Sequence, residues 1–262
     1  MASDRFGLTD KVAVITGAGS GIGRATALMM AASGARVVIA EIDMDGAEAV
    51  RAEIVAGGGS ATAVKCDICD ETQVEHLLSA AVAGYGRVDV LINNAGAVFK
   101  GDCIGTTLRD WNRVLDVNVT GAFLCCKHAI PRMLANGGGT IVNVAALAAL
   151  VGVGNRTAYS VAKAGVLGLT RSITFDYARV GIRCNAVCPA TTRTPLVENI
   201  SATYDDPQAF LDHVGGRQFV KRMAEPDEIA ASIMFLASPA SSYIYGCYLA
   251  ADGGLTATSP SD

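Results

Sequence analysis

Tyr159 and Lys163 are the two residues whose types and spacing most directly suggest chemistry. They stand four residues apart in an apolar, helix-favouring segment, so their side chains share one helix face. An ammonium group beside a phenol favours the phenolate, and we therefore expect the pKa of Tyr159 to fall below its reference of about 10. Such a tyrosine exchanges protons near neutral pH. The spacing also occurs by chance on solvated helices, so it gains meaning only beside a cofactor site.

A glycine-rich turn near the N-terminus predicts that cofactor site. The β-branched run 12–16 predicts a strand, residues 17–23 carry the glycines, and residues 24–33 favour a helix. Glycine lets the backbone approach a diphosphate, and the free N–H groups and dipole at a helix start attract the anion. The strand and helix supply the context that a lone glycine triplet lacks. The predicted contacts are Gly17, Gly19, Ser20, Gly21, Ile22 and Gly23.

Further motifs follow in an order that resembles the short-chain dehydrogenase/reductase family, from about residue 7 to residue 257. The motifs are the glycine turn, Asp67, the Asn-Asn-Ala-Gly segment 93–96, Asn118, Tyr159 with Lys163, the loop 189–194, and the Asp-Gly-Gly segment 252–254. The resemblance implies an oxidoreductase that transfers a hydride between a nicotinamide and a secondary alcohol or ketone. The expected partner is therefore a small-molecule alcohol or ketone.

The resemblance also implies a catalytic set of Asn, Ser, Tyr and Lys. Asn118 matches the residue that supports a water linked to Lys163, and Lys163 is expected to bind the nicotinamide ribose. Tyr159 is expected to exchange the substrate proton. The serine is missing, because Ala146 stands at its position, thirteen residues before Tyr159. Alanine offers neither a donor nor an acceptor, and losing one such donor typically costs ~10²–10³ in turnover.

Three explanations of Ala146 are open. The residue is an engineered replacement of serine, a natural change that leaves weak or altered activity, or the mark of a protein that binds NAD(H) without chemistry. Because Asn118, Tyr159 and Lys163 are all present, we favour the engineered replacement. An NADP-dependent carbonyl reductase is a further alternative.

Glu41 directs the choice of cofactor. It ends the predicted strand 36–41, where a carboxylate accepts hydrogen bonds from the ribose hydroxyls of NAD and repels the phosphate of NADP. Ser20 stands where NADP-preferring relatives often carry a base, and we predict NAD. A solvated carboxylate at a strand end is the alternative. By resemblance, the other cofactor contacts are Asp67, Ile68, Asn94, Ala95, Gly96, Tyr159, Lys163, Pro189, Thr192 and Thr194. Asn94, with its neighbour, could instead serve to hold strands together.

Bulk properties narrow the class of protein. Of 262 residues, 51% are hydrophobic, enough for a large core without disulfides. The net charge of −4 argues against a nucleic-acid partner. We expect a cytoplasmic protein with no membrane partner, because neither a spanning apolar run nor a signal-peptide pattern is evident. The eight cysteines and three histidines lack metal-ligand spacing beyond Cys66 and Cys69, so we predict reduced thiols and no metal site.

Alternating strand and helix patterns predict one doubly wound, Rossmann-type α/β domain over residues 1–262, with a mainly parallel seven-stranded sheet. The predicted strands are 12–16, 36–41, 61–66, 88–93, 140–145, 183–188 and 247–250. Helices are predicted to start near residues 21, 45, 71, 107, 157 and 226, with a shorter one within 195–213. We expect residues 258–262 to fray. The resemblance implies a homotetramer.

The expected substrate pocket is mainly apolar. Its walls are predicted at residues 97–99, 147–153 and 190–192 and from Leu196 onward, which favours a neutral secondary alcohol or ketone. Arg156 and Arg193 leave an acidic group open. Residues 195–217 are predicted to form a mobile lid over the substrate, with a fixed surface helix as the alternative.

Overall fold

The apolar runs of the sequence form a seven-stranded sheet whose strands are all parallel. A computed structural model of the protein describes residues 5–257, so the expectation for residues 258–262 lies outside the described residues. The strands are β1 (Val12–Thr16), β2 (Arg36–Glu41), β3 (Ser60–Lys65), β4 (Val90–Asn93), β5 (Gly139–Val144), β6 (Ile182–Pro189) and β7 (Tyr248–Ala251). Their order is β3-β2-β1-β4-β5-β6-β7. The predicted doubly wound sheet is thereby confirmed.

Helices cover both faces of this sheet. They are α1 (Gly21–Ala32), α2 (Met44–Ala56), α3 (Glu71–Tyr85), α4 (Leu108–Leu115), α5 (Gly121–Ala135), α6 (Thr157–Tyr177), α7 (Pro195–Ser201), α8 (Pro207–Gly216) and α9 (Pro226–Ala237). The helix that was predicted to start near Thr107 is α4. It continues without a break through a π-helical segment, Asp116–Thr120, into α5. The segment predicted to hold one short helix holds two, because Pro207 starts a new helix at its first turn.

Alternate residues of each buried strand enter two separate cores. Val12 and Val14 of β1 pack into the layer that contains α3 and α5, whereas Ala13 and Ile15 pack into the layer that contains α1 and α9. All five residues of β1 are buried, as expected for a parallel strand covered on both faces. This double coverage leaves the carboxyl ends of the strands as the open edge of the sheet.

The strand order reverses between β1 and β4, which are neighbours in the sheet although β2 and β3 come between them in the chain. Chain segments leave this point in opposite directions and open a crevice at the carboxyl ends of the strands. The predicted site residues follow these same strand ends. Within residues 5–257, no helix combines the length and the apolar character that a membrane crossing needs.

Candidate active site

The crevice contains a cavity of about 870 Å³ that brings most of the predicted site residues together. Its lining includes all four predicted catalytic positions, namely Asn118, Ala146, Tyr159 and Lys163. It also includes the predicted cofactor contacts Gly17, Ser20, Gly21, Ile22, Glu41, Asp67, Ile68, Asn94, Ala95, Gly96, Pro189, Thr192 and Thr194. Gly19 and Gly23 lie outside the lining, and each has a structural role in the turn.

Gly23 allows the glycine turn to close. A Cβ atom at this position would lie 2.1 Å from the carbonyl oxygen of Gly17 and 2.5 Å from Asn94 Nδ2. Asn94 in turn donates from Nδ2 to the carbonyl oxygens of Thr16 and Gly17, both at 2.9 Å. The alternative role of the asparagines is thus observed. Asn94 fastens the turn to the end of β4, and Asn93 donates to Asn143 Oδ1 of β5 at 2.8 Å.

The start of α1 keeps its backbone N–H groups available for an anion. Its N-cap residue, Ser20, makes no side-chain hydrogen bond to the helix, whereas Asp43 and Asp70 cap α2 and α3. A helix start without a capping side chain offers several N–H donors and the positive end of the helix dipole. Since Ser20 and Gly21 line the cavity, the residues present fit a dinucleotide diphosphate at this point.

Glu41 lies beside the glycine turn, as the NAD prediction requires. Its Oε2 accepts the N–H of Gly19 at 3.1 Å, and its Oε1 accepts the N–H of Ile42 at 2.9 Å. The carboxylate is therefore held at the end of β2, with acceptor lone pairs remaining on both oxygens. Asp67 lines the same end of the cavity, and its Oδ1 accepts the N–H of Cys69 at 2.9 Å.

The opposite wall comes from the loop after β6. Thr192 is buried, and its hydroxyl donates to the carbonyl oxygen of Ala190 at 3.2 Å. Thr194 is the N-cap residue of α7. Its side chain lies close to the glycine turn, because a Cβ atom on Gly21 would be 3.1 Å from Thr194 Cγ2. The cavity thus passes between the glycine turn and this loop.

Tyr159 and Lys163 lie in the first two turns of α6, and both face the cavity. Lys163 Nζ is 5.7 Å from the centre of the Tyr159 ring, and it donates to the carbonyl oxygen of Val144 at 2.8 Å. That bond ties the ammonium to the end of β5. The helix spacing of the pair therefore places a phenol and an ammonium together at the carboxyl edge of the sheet.

The expectation that the pKa of Tyr159 falls is wrong for the protein alone. Burial raises the pKa of Tyr159 to about 12, although Arg156 opposes the rise. Burial also lowers the pKa of Lys163 to about 8, with opposition from Cys188. In each case the wall of the cavity disfavours the charged form. Desolvation of both groups outweighs the attraction that their spacing suggests.

Asn118 lies in the π-helical segment between α4 and α5. Its Nδ2 donates to the carbonyl oxygens of Ala97 and Val114, at 2.8 Å and 2.9 Å. Its Oδ1 is buried and has no hydrogen-bond partner. A Cβ atom on Gly96 would lie 2.8 Å from this oxygen and 3.3 Å from Lys163 Nζ. The orphaned acceptor beside the lysine fits the predicted role of supporting a bound water.

Ala146 lies in an entirely apolar stretch of the cavity wall. The five consecutive residues 144–148, at the end of β5 and in the turn after it, all line the cavity, and all carry alkyl side chains. Ala146 is buried, with an extended backbone. The side chains of this stretch thus offer the substrate oxygen no hydrogen-bond donor.

The far end of the cavity lies under residues 195–217. Leu196 of α7 and Val214 of α8 line it, opposite Val153. Tyr204, between these helices, stacks on Phe210 with ring centres 4.3 Å apart. Lys100 Nζ donates to the Tyr204 hydroxyl at 3.0 Å. Lys100 also lines the cavity, but it belongs to no sequence motif and was therefore not among the predicted site residues.

The cysteines are poor candidates for nucleophiles in this site. All eight are free, and burial raises the pKa of Cys66 to about 11 and that of Cys126 to about 12. Thiols with raised pKa values are weak nucleophiles. Within the described part of the chain, no group of three or more His, Cys, Asp or Glu side chains could hold a metal ion.

Comparison with known proteins identifies the family. A family model described as enoyl-(acyl carrier protein) reductase matches residues 17–256. The chain is 45% identical over 249 residues to cis-4-hydroxycyclohexanecarboxylate dehydrogenase of Sinomonas cyclohexanicum, across 95% of this chain and 97% of the relative. It belongs to the short-chain dehydrogenase/reductase family. The protein is accordingly an oxidoreductase of a family that interconverts alcohols and carbonyl compounds with a nicotinamide cofactor.

Two further short-chain dehydrogenase/reductase relatives extend this finding. Cyclohexanol dehydrogenase of Acinetobacter sp. (strain SE19) is 38% identical over 257 residues, which cover 97% of each chain. The crystal structure of levodione reductase superposes with a TM-score of 0.93 at 36% identity, over 96% of this chain and 99% of that one. Sequence and fold therefore agree over almost the whole chain.

Proposed function

We propose that the protein is an NAD-dependent oxidoreductase that interconverts a cyclic secondary alcohol and its ketone. The observation that carries the proposal is the position of Tyr159 and Lys163 in the same cavity as the glycine turn and Glu41. A bound nicotinamide would accept or supply the hydride. The glycine turn, the start of α1 and the loop 189–194 would hold the dinucleotide on either side of the crevice.

The chain's own residues supply the proton chemistry. In oxidation, the phenolate form of Tyr159 takes the hydroxyl proton of the substrate at Oη while the carbinol carbon loses a hydride. In reduction, the same oxygen returns the proton to the carbonyl oxygen. Lys163, tied to Val144, places a cation beside the phenol, and the free Oδ1 of Asn118 is suited to hold a water near that cation.

Charge favours NAD over NADP. Glu41 accepts the N–H of Gly19 in the glycine turn and the N–H of the adjacent Ile42, and a phosphate on the adenosine ribose would face this carboxylate. Among the described residues, Glu41 and Asp67 are the charged side chains that line the adenosine end of the cavity. Two like charges at close range cost about 1 kcal/mol or more even in high dielectric, which corresponds to a preference for NAD of about fivefold or greater.

Ala146 sets the expected level of activity. A serine there would donate to the substrate oxygen as it gains negative charge, and one such donor is worth ~10²–10³ in turnover. We propose that the native chain is slow for this reason. Tyr159, next to Lys163, can still exchange a proton with the substrate. We therefore expect reduced activity rather than none.

The proposed substrate class follows from the walls of the cavity and from the relatives. Alkyl side chains line the reaction centre at residues 144–148 and continue at Val153 and Leu196. Two relatives are named for alcohols on a six-membered carbon ring. An apolar pocket of this kind suits a ring carbon bearing one hydroxyl group.

A panel of secondary alcohols and ketones tests the proposal. The native chain and Ala146→Ser are assayed with NAD and with NADP at the absorbance band of the reduced nicotinamide. We expect turnover of cyclic alcohols with NAD, and a rise of at least ~tenfold in Ala146→Ser without a matching change in NAD affinity. Ala148→Ser is the control, because Ala148 lines the same wall two residues away. Equal rates in all three chains would contradict the role of position 146.

A second candidate function is binding of NAD(H) without turnover, which the apolar stretch around Ala146 favours. The same panel separates the two functions. A chain that binds NADH in a fluorescence titration, but shows no absorbance change with any alcohol even as Ala146→Ser, is a binder and not an enzyme.

We further propose a homotetramer. Large apolar side chains are exposed on α4–α6 and near β7, including Leu108 at 74%, Phe175 at 88% and Tyr243 at 98% exposure. Exposed apolar surface of this kind is typical of subunit contacts. Light scattering of the purified protein measures the assembly, and the mass of a single chain would contradict the proposal.

A further inference from the structure

The two ends of the cavity carry opposite charge. Glu41 and Asp67 line the adenosine end. The substrate end is lined instead by basic side chains, which are Lys100, Arg156, His213 and Arg217. Among residues 5–257, no carboxylate lines this second end. Apolar walls alone would suit a neutral alcohol, but they do not account for a lysine and two arginines that line the same space.

Two of these cations are held side by side by the backbone. Gly101 and Arg156 form an isolated parallel β-bridge. The Gly101 N–H donates to the carbonyl oxygen of Asn155 at 3.0 Å, and the Thr157 N–H donates to that of Gly101 at 3.2 Å. This bridge joins the segment after β4 to the start of α6. It therefore brings the backbone of Lys100, the neighbour of Gly101, close to that of Arg156, which precedes Tyr159 by three residues.

Neither cation is neutralised by the protein. Within the part of the chain that the structure describes, no carboxylate forms an ion pair with Lys100 or Arg156. Lys100 donates to the Tyr204 hydroxyl, and Arg156 donates from Nη1 to the carbonyl oxygen of Asn155 at 2.8 Å. Both groups keep further donors. By contrast, Arg193 of the neighbouring loop is paired with Glu225.

Lys100 and Arg156 also line an adjoining cavity of about 480 Å³, which continues the first one beneath α7. Both side chains thus stand where the two spaces join. A substrate with its carbinol carbon at Tyr159 would extend toward this junction. Of the two cations, Arg156 is nearer to Tyr159 in the chain, and it is half-buried. Its charge lowers the pKa of Tyr159, as expected for a cation close to the phenol.

We propose that the substrate carries a carboxylate, which Lys100 and Arg156 bind while Tyr159 faces the carbinol carbon. The guanidinium fork matches the two oxygens of a carboxylate, and the ammonium adds a point charge from the other side. This assignment of a substrate class rests on the proposed oxidoreductase function. It names the substrate class as hydroxy acids with an apolar carbon frame between the hydroxyl group and the carboxylate.

Paired substrates test the assignment by kinetics. 4-Hydroxycyclohexanecarboxylate and its carboxamide differ in charge but share the ring and the hydroxyl group. In the native chain and in Ala146→Ser, we expect kcat/KM to favour the carboxylate. In Lys100→Met and Arg156→Gln, we expect the ratio of carboxylate to carboxamide to fall by at least ~tenfold, as for a lost charge-assisted hydrogen bond. Arg179→Gln is the control, since Arg179 is exposed outside both cavities.

A binding measurement keeps the assignment independent of turnover. Calorimetry with NADH-loaded protein compares cyclohexanecarboxylate with cyclohexanecarboxamide, neither of which can react. We expect the carboxylate to bind more tightly to the native chain, and the difference to vanish in the double variant Lys100→Met/Arg156→Gln. Equal affinity for both probes in the native chain would overturn the assignment. Selective carboxylate binding without turnover of any alcohol would instead refute the proposed function and leave the anion site standing.

Discussion

The adenosine end and the substrate end of one cavity are built in different ways. At the adenosine end, backbone groups dominate. The glycine turn and the start of α1 present N–H donors, and Glu41 is fixed by two of the backbone N–H groups nearby. At the substrate end, side chains dominate, and Ala146 brings no polar group to the cavity wall. The comparison teaches that cofactor binding depends on the fold itself, whereas chemistry and specificity depend on side chains that single substitutions can change.

Tyr159→Phe should lower the turnover at the substrate end while leaving NADH binding at the adenosine end almost unchanged. The variant removes the proton carrier, and general acid–base catalysis contributes ~10²–10⁴ in rate. We expect kcat to fall by that factor while the dissociation constant for NADH changes by less than about threefold. Stopped-flow turnover and NADH fluorescence measure the two quantities. Tyr177→Phe, in the same helix but outside the cavity lining, is the control, and an equal loss of rate there would assign the effect to packing.

Gly23→Ala should weaken cofactor binding at the adenosine end. Its added carbon would overlap the carbonyl oxygen of Gly17, so the turn must open. Overpacking of this kind costs about 1–3 kcal/mol, and we expect NADH binding to weaken by up to about a hundredfold. A fluorescence titration measures the loss, and circular dichroism checks the fold. Gly84→Ala is the control because a Cβ atom there meets nothing within 4 Å. Unchanged NADH affinity in Gly23→Ala would contradict the role of the turn.

Glu41→Gln should change cofactor preference rather than rate. The amide oxygen still accepts one of the two backbone N–H groups that Glu41 holds, but the negative charge is gone. We expect the ratio of NADP to NAD in kcat/KM to rise by about tenfold, the equivalent of roughly 1.4 kcal/mol. Asp43→Asn removes a charge two residues away and still supplies the side-chain cap of α2. If both variants shift the ratio equally, the effect is general electrostatics and not contact with the ribose.

The buried ammonium should make stability depend on pH. Lys163 has a pKa of about 8 in the folded protein and about 10.5 when exposed. Between these values the unfolded chain binds a proton that the folded chain lacks, so stability rises with pH. Relative to Lys163→Met, the native chain without cofactor should gain up to about 1.4 kcal/mol per pH unit between pH 8 and 10. Urea unfolding of both chains measures the difference, and a flat difference would show that the lysine is not desolvated.

Much of the fold could be predicted from the sequence because its signals are local. Continuous apolar runs marked the strands, and β1 and β2 begin and end where the pattern placed them. The remaining strands differ from prediction at their ends, since the last residues of a strand depend on which neighbour completes its hydrogen bonds. The π-helical segment between α4 and α5 left no signal, because a residue inserted into a helix changes no propensity.

The site was predictable where it follows motifs, and not where it depends on tertiary placement. Tyr159 and Lys163 were found by spacing, but their pKa values depend on burial, which spacing cannot report. Lys100 and Arg156 lie 56 residues apart in the chain, and only the bridge at Gly101 brings them together. Charge clusters assembled by such long-range contacts carry no sequence motif. The sequence therefore indicated Arg156 but not Lys100, and it could not show that Arg193 is paired with Glu225.

The π-helical segment at Asn118 has a consequence for how this chain tolerates deletion. A helix turns by about 100° per residue, and the wider turn over Asp116–Thr120 accommodates one residue more than an α-helix would. Loss of a single residue here would restore regular winding. It would also rotate either the amide of Asn118 away from Lys163, or all of α5 away from the sheet. The number of residues in this short segment is therefore fixed by the positions of Asn118 and α5.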